Sequence, residues 1–449
     1  MQTLFQGYRR PDGQYGARNL VAVIPSVICA NDVAQAICRQ VQGTIGYFHH
    51  QGCCQLPLDL RRVTEVLINL GKSPNVAASL IVSLGCEGTD HQRMVEELRT
   101  TGKPVEIIHI QELGGTSRAI QAGIDAAQSL VLQVSGLQRE PADISNVMMA
   151  IKCGASDTTS GMASNCVIGY VADKLVDLGA TVIFGETTEF LGGEDILANR
   201  AVGGPDGPVG RKIYEIVDRM ERRAKSVGED MRGGQPTPGN IAGGLSSIEE
   251  KSLGAIVKSG HRPIQGVLEY TQSAQGRKGL WIKDSPGREP EILTGMAATG
   301  AQCMMFSTGR GAPQGFPSMP VIKICGNPNT YQRMSHDMDL NAGRIITGEK
   351  SIQEVGEAAF AHLLRVLSGE MTKNEALSYF GSVDIFCLLG GDDWPAFFIN
   401  HSKRRNCCEN HPGGPCPATV TAPRPSRLLP HPSSQTGGCQ PGHWCQCMD

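Results

Sequence analysis

Apolar runs of strand length alternate with amphipathic segments of helix length along most of this chain. Such alternation favours parallel sheets with crossover helices, because neighbouring parallel strands need a long connection between them. In the first part we predict strands at 20–25, 77–84 and 105–109, and helices near 31–41, 90–100 and 116–128. In the second part we predict strands at 147–152, 181–185, 303–307 and 321–325, and helices near 169–178 and 208–227. The predicted fold class is therefore α/β, with two parallel-sheet domains.

Two changes in composition divide the chain. Residues 136–144 are polar and predict a linker, so we place a first α/β domain at 1–136 and a C-terminal catalytic domain at 145–394. Residues 395–449 are rich in proline and cysteine and lack apolar periodicity, which predicts a disordered or non-native tail that is dispensable. A zinc site in this tail is the alternative, with Cys407, Cys408, His411 and Cys416 as ligands, but paired zinc ligands do not recur there cleanly.

Charge and composition exclude several classes of protein. With 41 basic and 44 acidic side chains the net charge is −3, which leaves no basic surface for nucleic acid or an anionic membrane. The apolar run 20–28 is too short to span a bilayer, and the N-terminus lacks a signal-peptide core. The 16 cysteines are then expected to be reduced thiols, and the protein is expected to be cytoplasmic.

Thiols and carboxylates follow three of the predicted strands. Cys86 and Glu87 follow the strand at 77–84, Cys153 follows the strand at 147–152, and His49 and Cys53 follow the short apolar run 45–48. Reactive groups of open α/β sheets collect past the C-terminal ends of strands. Cysteine and histidine suit a borderline or soft metal ion such as Fe²⁺ or Zn²⁺. A buried structural cysteine is the alternative reading for each position alone.

Further polar residues follow these strand ends. Asp157 and Asn165 lie in the run 153–165, behind Cys153. Glu186 and Glu189 follow the strand at 181–185, where two carboxylates three residues apart suit a base and a metal ligand. A solvated helix start, where acidic side chains favour the positive end of the helix dipole, explains that pair equally well.

Several cations lie in glycine-rich loops, which favours a small anionic substrate. Lys251 follows the loop at 239–247, Arg310 lies in the loop 307–315, and Lys323 lies on the strand after it. Arg18 and Asn19 end an N-terminal loop and could hold a carboxylate through paired hydrogen bonds. Backbone amides of such loops bind anions together with a lysine, although the spacing is not that of a P-loop.

Eight motifs, in order from about residue 5 to 390, resemble the altronate/galactarate dehydratase family, which also contains the large subunit of sulfolactate sulfo-lyase. They are GYRRPDGQYGARN, HHQGCCQ, SLGCE, CGASDTTSGMASN, ETTEFLGGE, GNIAGGLSSIEEKSLG, FSTGRG, and IKICGNPNTY with DMDLNAG. The resemblance implies an Fe²⁺- or Mn²⁺-dependent lyase that removes water or sulfite from a 2-hydroxy acid. It also implies two α/β domains with the active site between them.

The chain departs from the family pattern in three places. Family dehydratases carry a small antifreeze-like (SAF) domain before the first motif, so the resemblance implies a separate small subunit that supplies it. Ser73-Pro74-Asn75 and Asp195 stand where many relatives have histidine, and we assign them no role. The family pattern ends near Leu389, so the tail has no counterpart.

Motif membership then suggests roles for single residues. We expect a metal ion among His49, Cys53, Cys86, Glu87 and Cys153, where it stabilises the enediolate formed when the proton next to the carboxylate is removed. Glu186 or Lys251 is the candidate base, and Asp157 a further catalytic residue. The candidate substrate-binding residues are Arg18, Asn19, Asn165, Arg310 and Lys323.

Several functions remain open on the sequence. The first is a sugar-acid hydro-lyase that yields a 2-keto-3-deoxy acid, favoured by the motif HHQGCCQ. The second is a sulfolactate sulfo-lyase large subunit. An enzyme or redox sensor with a cysteine-bound iron–sulfur cluster is a third, since dispersed cysteines can bind a cluster. A non-catalytic regulatory protein would leave the glycine loops and charged strand ends unexplained. We also expect a homo-oligomer that binds neither nucleic acid nor membrane.

Overall fold

A computed structural model of the protein describes residues 3–388. Its strands are β1 Leu4–Arg9, β2 Tyr15–Gly16, β3 Leu20–Pro25, β4 Thr44–Gly46, β5 Val76–Ser83, β6 Val105–His109, β7 Glu140–Asp143, β8 Met148–Cys153, β9 Thr181–Phe184, β10 Ile264–Leu268, β11 Gly279–Lys283, β12 Cys303–Thr308, β13 Val321–Cys325 and β14 Leu340–Asn341. Its helices are α1 Asn31–Gln40, α2 Pro57–Lys72, α3 His91–Arg99, α4 Thr116–Ser135, α5 Asn165–Asp177, α6 Glu194–Asn199, α7 Pro208–Ser226, α8 Met231–Gly234, α9 Pro238–Ala242, α10 Ile248–Ile256, α11 Glu289–Thr299, α12 Pro328–Arg333, α13 Gly343–Ile346, α14 Ile352–Leu367 and α15 Lys373–Leu377.

Two parallel sheets form the fold, so the α/β fold class is confirmed. The first sheet has the strand order β4-β3-β5-β6, and the second has the order β10-β11-β9-β8-β12-β13-β14. Every pairing within these two sheets is parallel. All strands of one sheet therefore end at the same edge, where polar loop residues are brought together.

The seven predicted strands are present within one residue at each end. Their side chains are nearly all buried, because helices cover both faces of each sheet, and such strands read as continuous apolar runs. The prediction missed β10, β11 and β14, which flank the second sheet, and the helices α2, α11 and α14.

The segment 136–144 is not the linker that its polarity predicts. Residues Glu140–Asp143 form β7, which pairs antiparallel with β1 next to β2 in a small third sheet. Backbone hydrogen bonds decide this pairing, so the strand has no need of an apolar run. The boundaries 1–136 and 145–394 remain predictions, and the tail with its zinc alternative lies outside the described residues.

One hydrophobic core connects the two parallel sheets. It contains side chains from β3 and β5 of the first sheet, from β8 and β12 of the second, and from α2 and α11. Separate cores cover the outer faces, one under α1 and α4 and the other under α5 and α14. Within residues 3–388, no helix has the length and apolar character needed to cross a membrane.

Candidate active site

The end of β8 carries a buried thiol beside two buried carboxylates and one buried ammonium. Cys153 ends β8, while Glu186 and Glu189 follow its neighbour β9. Cys153 Sγ donates to Glu189 Oε2 at 3.0 Å, and the Cys153 amide donates to Glu186 Oε2 at 2.9 Å. Lys258, just after α10, places its Nζ 2.7 Å from Glu189 Oε2 and 3.0 Å from Glu186 Oε2. We term these four residues the charge cluster.

The cluster keeps one thiol neutral and one ammonium charged. Burial, together with the charge of Glu189, raises the pKa of Cys153 far above its usual range. Burial lowers the pKa of Lys258, but the carboxylates of Glu186 and Glu189 outweigh it and raise that pKa well above normal. Burial and the neighbouring Glu189 raise the pKa of Glu186, whereas Lys258 outweighs burial and lowers the pKa of Glu189. Two carboxylates with pKa values shifted in opposite directions are typical of acid–base sites.

Backbone strain is concentrated at the ends of parallel strands. Four residues other than glycine among residues 3–388 have positive φ, namely Cys54, Ala155, Glu186 and Ser378. Cys54 follows β4, Ala155 follows β8 and Glu186 follows β9. Such left-handed conformations carry an energetic cost and cluster at functional sites.

The donor atoms of Cys153, Glu186 and Glu189 lie within 4.8 Å of one another and could hold a metal ion. However, the ammonium of Lys258 lies 3.1 Å from Cys153 Sγ and already pairs with both carboxylates. A divalent ion would have to displace this ammonium, so the arrangement described fits a metal poorly. We derive no catalytic step through a metal at this position.

A cavity of about 460 Å³ opens above the charge cluster. Cys153 and Glu189 line it, together with Lys251, Arg288 and Glu289, whereas Glu186 does not. Lys251 Nζ donates to Gln235 Oε1 at 2.8 Å and also contributes to lowering the pKa of Glu189. The cavity thus offers two carboxylates, a thiol and two cations.

Two smaller cavities collect several predicted residues; the first shares Lys251 with the large cavity, and the second shares Asp157 with the first. One of about 280 Å³ is lined by Asp157, Asn165 and Lys251, and one of about 260 Å³ by Asp157, Arg310 and Arg333. Asn165 donates to the Gly254 carbonyl at 2.8 Å, while its Oδ1 is buried and has no hydrogen-bond partner among the described residues. The structure therefore brings Cys153, Asp157, Asn165, Lys251 and Arg310 to one edge of the second sheet.

Three predicted substrate-binding residues have structural roles instead. Arg18 forms a bidentate salt bridge with Glu375 at 2.6 and 2.8 Å and also donates to three backbone carbonyls. These contacts occupy its guanidinium group. Asn19 bonds to the Val134 carbonyl at 2.9 Å and to an arginine side chain. Lys323 is fully buried, with its Nζ on the Phe306 ring and bonded to the Gln314 carbonyl. These donors are already used, so we correct the expectation for all three.

The predicted metal ligands of the first sheet divide into two buried residues and two exposed ones. His49 Nε2 lies 2.8 Å from the Pro25 carbonyl and its Nδ1 accepts from the Gln51 amide, so both ring nitrogens are occupied. Glu87 accepts from Ser26 Oγ at 2.6 Å and from the Gly85 amide at 2.7 Å, which fixes the loop. Neither His49 nor Glu87 is free to bind a metal. Cys53 and Cys86 are exposed and follow strands of the first sheet, whereas Cys153 ends a strand of the second.

Sequence reasoning missed Lys258 and Lys152. Lys152 is fully buried, and its Nζ lies 3.6 Å from Glu186 Oε1. Both lysines stand within apolar runs, MMAIKC and LGAIVKSG. A charged side chain in such a run must be paired when buried, which is the signal that could have found them.

Two family models match the chain. Residues 7–135 match the model "D-galactarate dehydratase/Altronate hydrolase, second domain", and residues 144–386 match "D-galactarate/Altronate dehydratase, C-terminal". Curated relatives show the same similarity. The chain is 39% identical over 376 residues to "(2R)-sulfolactate sulfo-lyase subunit beta" of Chromohalobacter salexigens, which covers 84% of this chain and 95% of that protein. It is 31% identical over 386 residues to "Altronate dehydratase" of Bacillus subtilis, covering 83% and 75%, and 31% identical over 387 residues to "Galactarate dehydratase (L-threo-forming)" of Escherichia coli, covering 82% and 73%.

Proposed function

The chain belongs to the D-galactarate/altronate dehydratase family and is a lyase, and we propose that it eliminates a leaving group from a 2-hydroxycarboxylate in the cavity above the charge cluster. One observation carries the proposal. Glu189, ionised through its pair with Lys258, and the neutral thiol of Cys153 face the same cavity as the cation Lys251. A base, an acid and an anion-binding group are the parts that such an elimination requires.

The reaction can be written with these residues. Lys251 holds the substrate carboxylate, and Glu189 takes the proton from C2. The electron pair of that C–H bond forms the C2=C3 double bond while the bond from C3 to the leaving group breaks. A departing hydroxide takes a proton from the Cys153 thiol and leaves as water, and the thiol regains a proton from Glu189 through the hydrogen bond between them. Sulfite leaves with its electron pair and needs no proton. The enol then tautomerises to a 2-keto acid. We prefer Glu189 to Glu186 as base because it lines the cavity.

Two substrate classes follow from the relatives. Sugar-acid dehydration is the first expectation from the motifs, and the altronate and galactarate dehydratases support it. The sulfo-lyase subunit is more similar in sequence, at 39% identity, and is covered almost completely by this chain. We therefore rank sulfolactate before the sugar acids. A compact 3-carbon sulfonate also needs two anion sites, and Lys251 and Arg310 line adjoining cavities.

The decisive experiment compares (2R)-sulfolactate, altronate and galactarate as substrates. Purified chain, with its small subunit added, is expected to release sulfite and pyruvate from sulfolactate. Formation of 2-keto-3-deoxy acids would instead favour dehydration. Glu189→Gln should abolish turnover, while the exposed Glu357→Gln, which only loses contacts to Tyr170 and Lys174, should not. Full activity of the Glu189 variant would contradict the assigned base.

Cofactor, partner and location remain proposals. The family resemblance supports Fe²⁺ or Mn²⁺ as cofactor, which metal analysis of purified protein tests. The name "subunit beta" of the sulfo-lyase relative supports a separate small subunit. We also propose a homo-oligomer in the cytoplasm, testable by light scattering and by fractionation of cells.

A further inference from the structure

Three loops interlock at the C-terminal edge of the first sheet. The Ile28 amide, after β3, donates to the Gln51 carbonyl, after β4, at 2.9 Å. The Gly88 amide, after β5, donates to the Gly52 carbonyl at 2.9 Å. A Cβ on Gly52 would lie 2.7 Å from the Ser26 carbonyl oxygen, which shows how closely the loops approach. The polypeptide is therefore built to hold these three strand ends together.

Each of these loops presents exposed thiols. Cys29 lies next to Ile28, Cys53 and Cys54 follow Gly52, and Cys86 lies two residues before Gly88, and all four are exposed and free. The backbone hydrogen bonds between the three loops bring these four thiols to the same edge of the first sheet. We term them the thiol cluster.

The sulfur atoms of Cys53 and Cys54 are spaced as ligands of one metal atom. They lie 3.6 Å apart. Two thiolates bound tetrahedrally to one metal with bonds of about 2.3 Å lie about 3.8 Å apart. Cys54 has φ +55, so the backbone carries strain that places these neighbouring side chains on the same side. A strained backbone that brings two thiols together is typical of a functional site rather than of packing, because both side chains are exposed.

The spacing of the four thiols favours a centre with two metal atoms over a site for one metal ion. Within residues 3–388, the charge-cluster donors form the one group of three candidate ligand atoms that lie within 4.8 Å of one another. Four ligands of a single tetrahedral ion would meet that spacing, and the thiol cluster as arranged here does not. A two-metal centre instead takes two separate pairs of ligands, one on each metal. Cys53 and Cys54 supply one pair at 3.6 Å, and we assign Cys29 and Cys86 to the second metal.

We propose that Cys29, Cys53, Cys54 and Cys86 bind an iron–sulfur cluster, with Cys53 and Cys54 on one iron atom. Four cysteine thiolates are the usual ligand set of such clusters. Cys53 Sγ contacts Cys54 Sγ, and the side-chain amide of Gln111 donates to Cys86 Sγ at 3.5 Å. An amide donor to a ligating sulfur is the kind of contact that adjusts the potential of a cluster. Cys153, by contrast, already has Lys258 as its cation.

The thiol cluster lies beside the loop that leads to the catalytic cavity. Gln51 donates to the Ile385 carbonyl at 2.7 Å, and the adjacent Asp384 pairs with Arg288 of the cavity wall at 2.9 Å. Loss of the cluster is therefore expected to disturb this wall as well. The proposal itself does not depend on the elimination reaction, since its test measures bound iron and sulfide.

The test is purification of the full chain without oxygen, followed by anaerobic supply of Fe²⁺ and sulfide. We expect iron and acid-labile sulfide in equal amounts, with visible absorption that dithionite bleaches. Cys54→Ser and Cys86→Ser should each lose most of the iron, by about tenfold, while circular dichroism stays unchanged. The half-buried Cys38→Ser, in the same part of the fold, is the matched control and should keep its iron.

Three results would overturn the proposal. The first is zinc as the bound metal without sulfide, and the second is no bound metal after reconstitution. The third is iron lost from Cys153→Ser but retained in Cys54→Ser, which would place the metal at the charge cluster. Each is read from metal and sulfide content, so it does not depend on whether sulfolactate or a sugar acid is the substrate.

Discussion

Four fully buried lysines of the second sheet and its surroundings show how the same side chain acquires different properties. They are Lys152, Lys258, Lys283 and Lys323. Lys258 has carboxylates at 2.7 and 3.0 Å, whereas Lys283 bonds only to the Gln272 carbonyl at 3.0 Å. Burial without an anion lowers the pKa of Lys283 to about 7, while its partners hold Lys258 charged. Charge at this scale depends on partners, not on residue type.

Removal of the Lys258 ammonium is expected to destabilise the protein. In Lys258→Met the carboxylates of Glu186 and Glu189 stay buried and lose their closest cation, which costs about 3–5 kcal/mol for a broken buried pair. Urea denaturation measures the loss. Lys251→Met is the control, because Lys251 lines the cavity and has one hydrogen bond, to the side-chain amide of Gln235. Its loss should reduce turnover but lower the free energy of unfolding by less than about 1 kcal/mol. Equal midpoints for Lys258→Met and wild type would contradict the paired geometry.

Lys283 gives the stability a defined pH dependence. Its pKa is about 7 in the folded protein and near 10.4 in an unfolded chain. Between these values the unfolded chain binds more protons, so the free energy of unfolding rises with pH, by up to about 1.4 kcal/mol per pH unit from this group. Lys283→Met should lack that contribution. Denaturant midpoints at pH 7, 8 and 9 test it, and parallel curves for both proteins would disprove it.

Arg310 tests the anion-binding role of the small cavities. It is exposed and lines the same cavity as Arg333, beside Asp157. Arg310→Lys keeps the charge but loses the planar guanidinium group that can form two parallel hydrogen bonds. The transition state should lose about 1.5–3 kcal/mol of stabilisation, so kcat/KM should fall tenfold or more. Arg93→Lys, on the exposed surface of α3, should leave the kinetics unchanged. Wild-type kinetics in Arg310→Lys would make this arginine structural.

Single residues of the site were only partly predictable. Cys153, Asp157, Asn165, Lys251 and Arg310 could be found because they stand at strand ends or in glycine loops, which the topology brings to one edge. Lys258 lies 105 residues from Cys153 in sequence, and no local pattern reveals which strand end it reaches. The function of a single residue depends on its side-chain contacts, and these contacts join residues that are far apart in the sequence.

Elements were predictable where their signal is local. The strands of both sheet centres are continuous apolar runs, so β3, β5, β8 and β12 follow from composition alone. The edge strand β10 alternates buried and partly exposed residues and contains a glycine, which weakens the pattern. β7 contains a proline, and it forms because its backbone pairs with β1. Edge and antiparallel strands therefore depend on tertiary pairing.

Asn75, for which the sequence suggested no role, connects elements of both sheets. It lies just before β5, and its Oδ1 accepts from the Ala17 amide at 2.8 Å. Its Nδ2 donates to the carbonyls of Gln302 and Ser318, before β12 and β13, at 2.9 and 2.8 Å. The side chain thus replaces backbone pairing where three segments meet.

Loss of the Asn75 amide is expected to be costly. Asn75→Ala leaves buried backbone groups unpaired and should reduce the free energy of unfolding by about 2–4 kcal/mol. Asn75→Asp keeps the acceptor and replaces the donor, so it should be destabilised as well. The exposed Asn329→Ala is the control and should change stability little. Calorimetry measures all three, and an unchanged melting temperature for Asn75→Ala would refute the role.

At the scale of the whole molecule, residues far apart in sequence hold the N-terminal part to the C-terminal helices. Arg18, just before β3, pairs with Glu375 of α15 at 2.6 Å and donates to the Val366 carbonyl of α14 at 2.8 Å. Both charged side chains are mostly buried, at 11% and 13% exposure, so the pair is shielded from solvent. A pair of this kind is costly to break from one side.

A double-mutant cycle measures this connection. Arg18→Met and Glu375→Gln are each expected to destabilise by about 3–5 kcal/mol, because each leaves one buried charge unpaired. The double variant should lose less than the sum of the two. Additive losses would show that the two residues act independently, and the surface pair Asp218 and Arg222 serves as a control with little effect in either variant.

The strand order of the second sheet has a consequence for the way the protein is made. β8 pairs with β12, so that Met149 lies opposite Cys303, whereas the first sheet is closed by residue 109. On the ribosome the strands of the first sheet can therefore pair early. One edge of β8 stays unpaired until about 150 further residues have been synthesised. Pairing over such distances is slow because the loop must close first. The interval before β12 emerges is then the period in which the nascent chain is most exposed to aggregation and most dependent on chaperones.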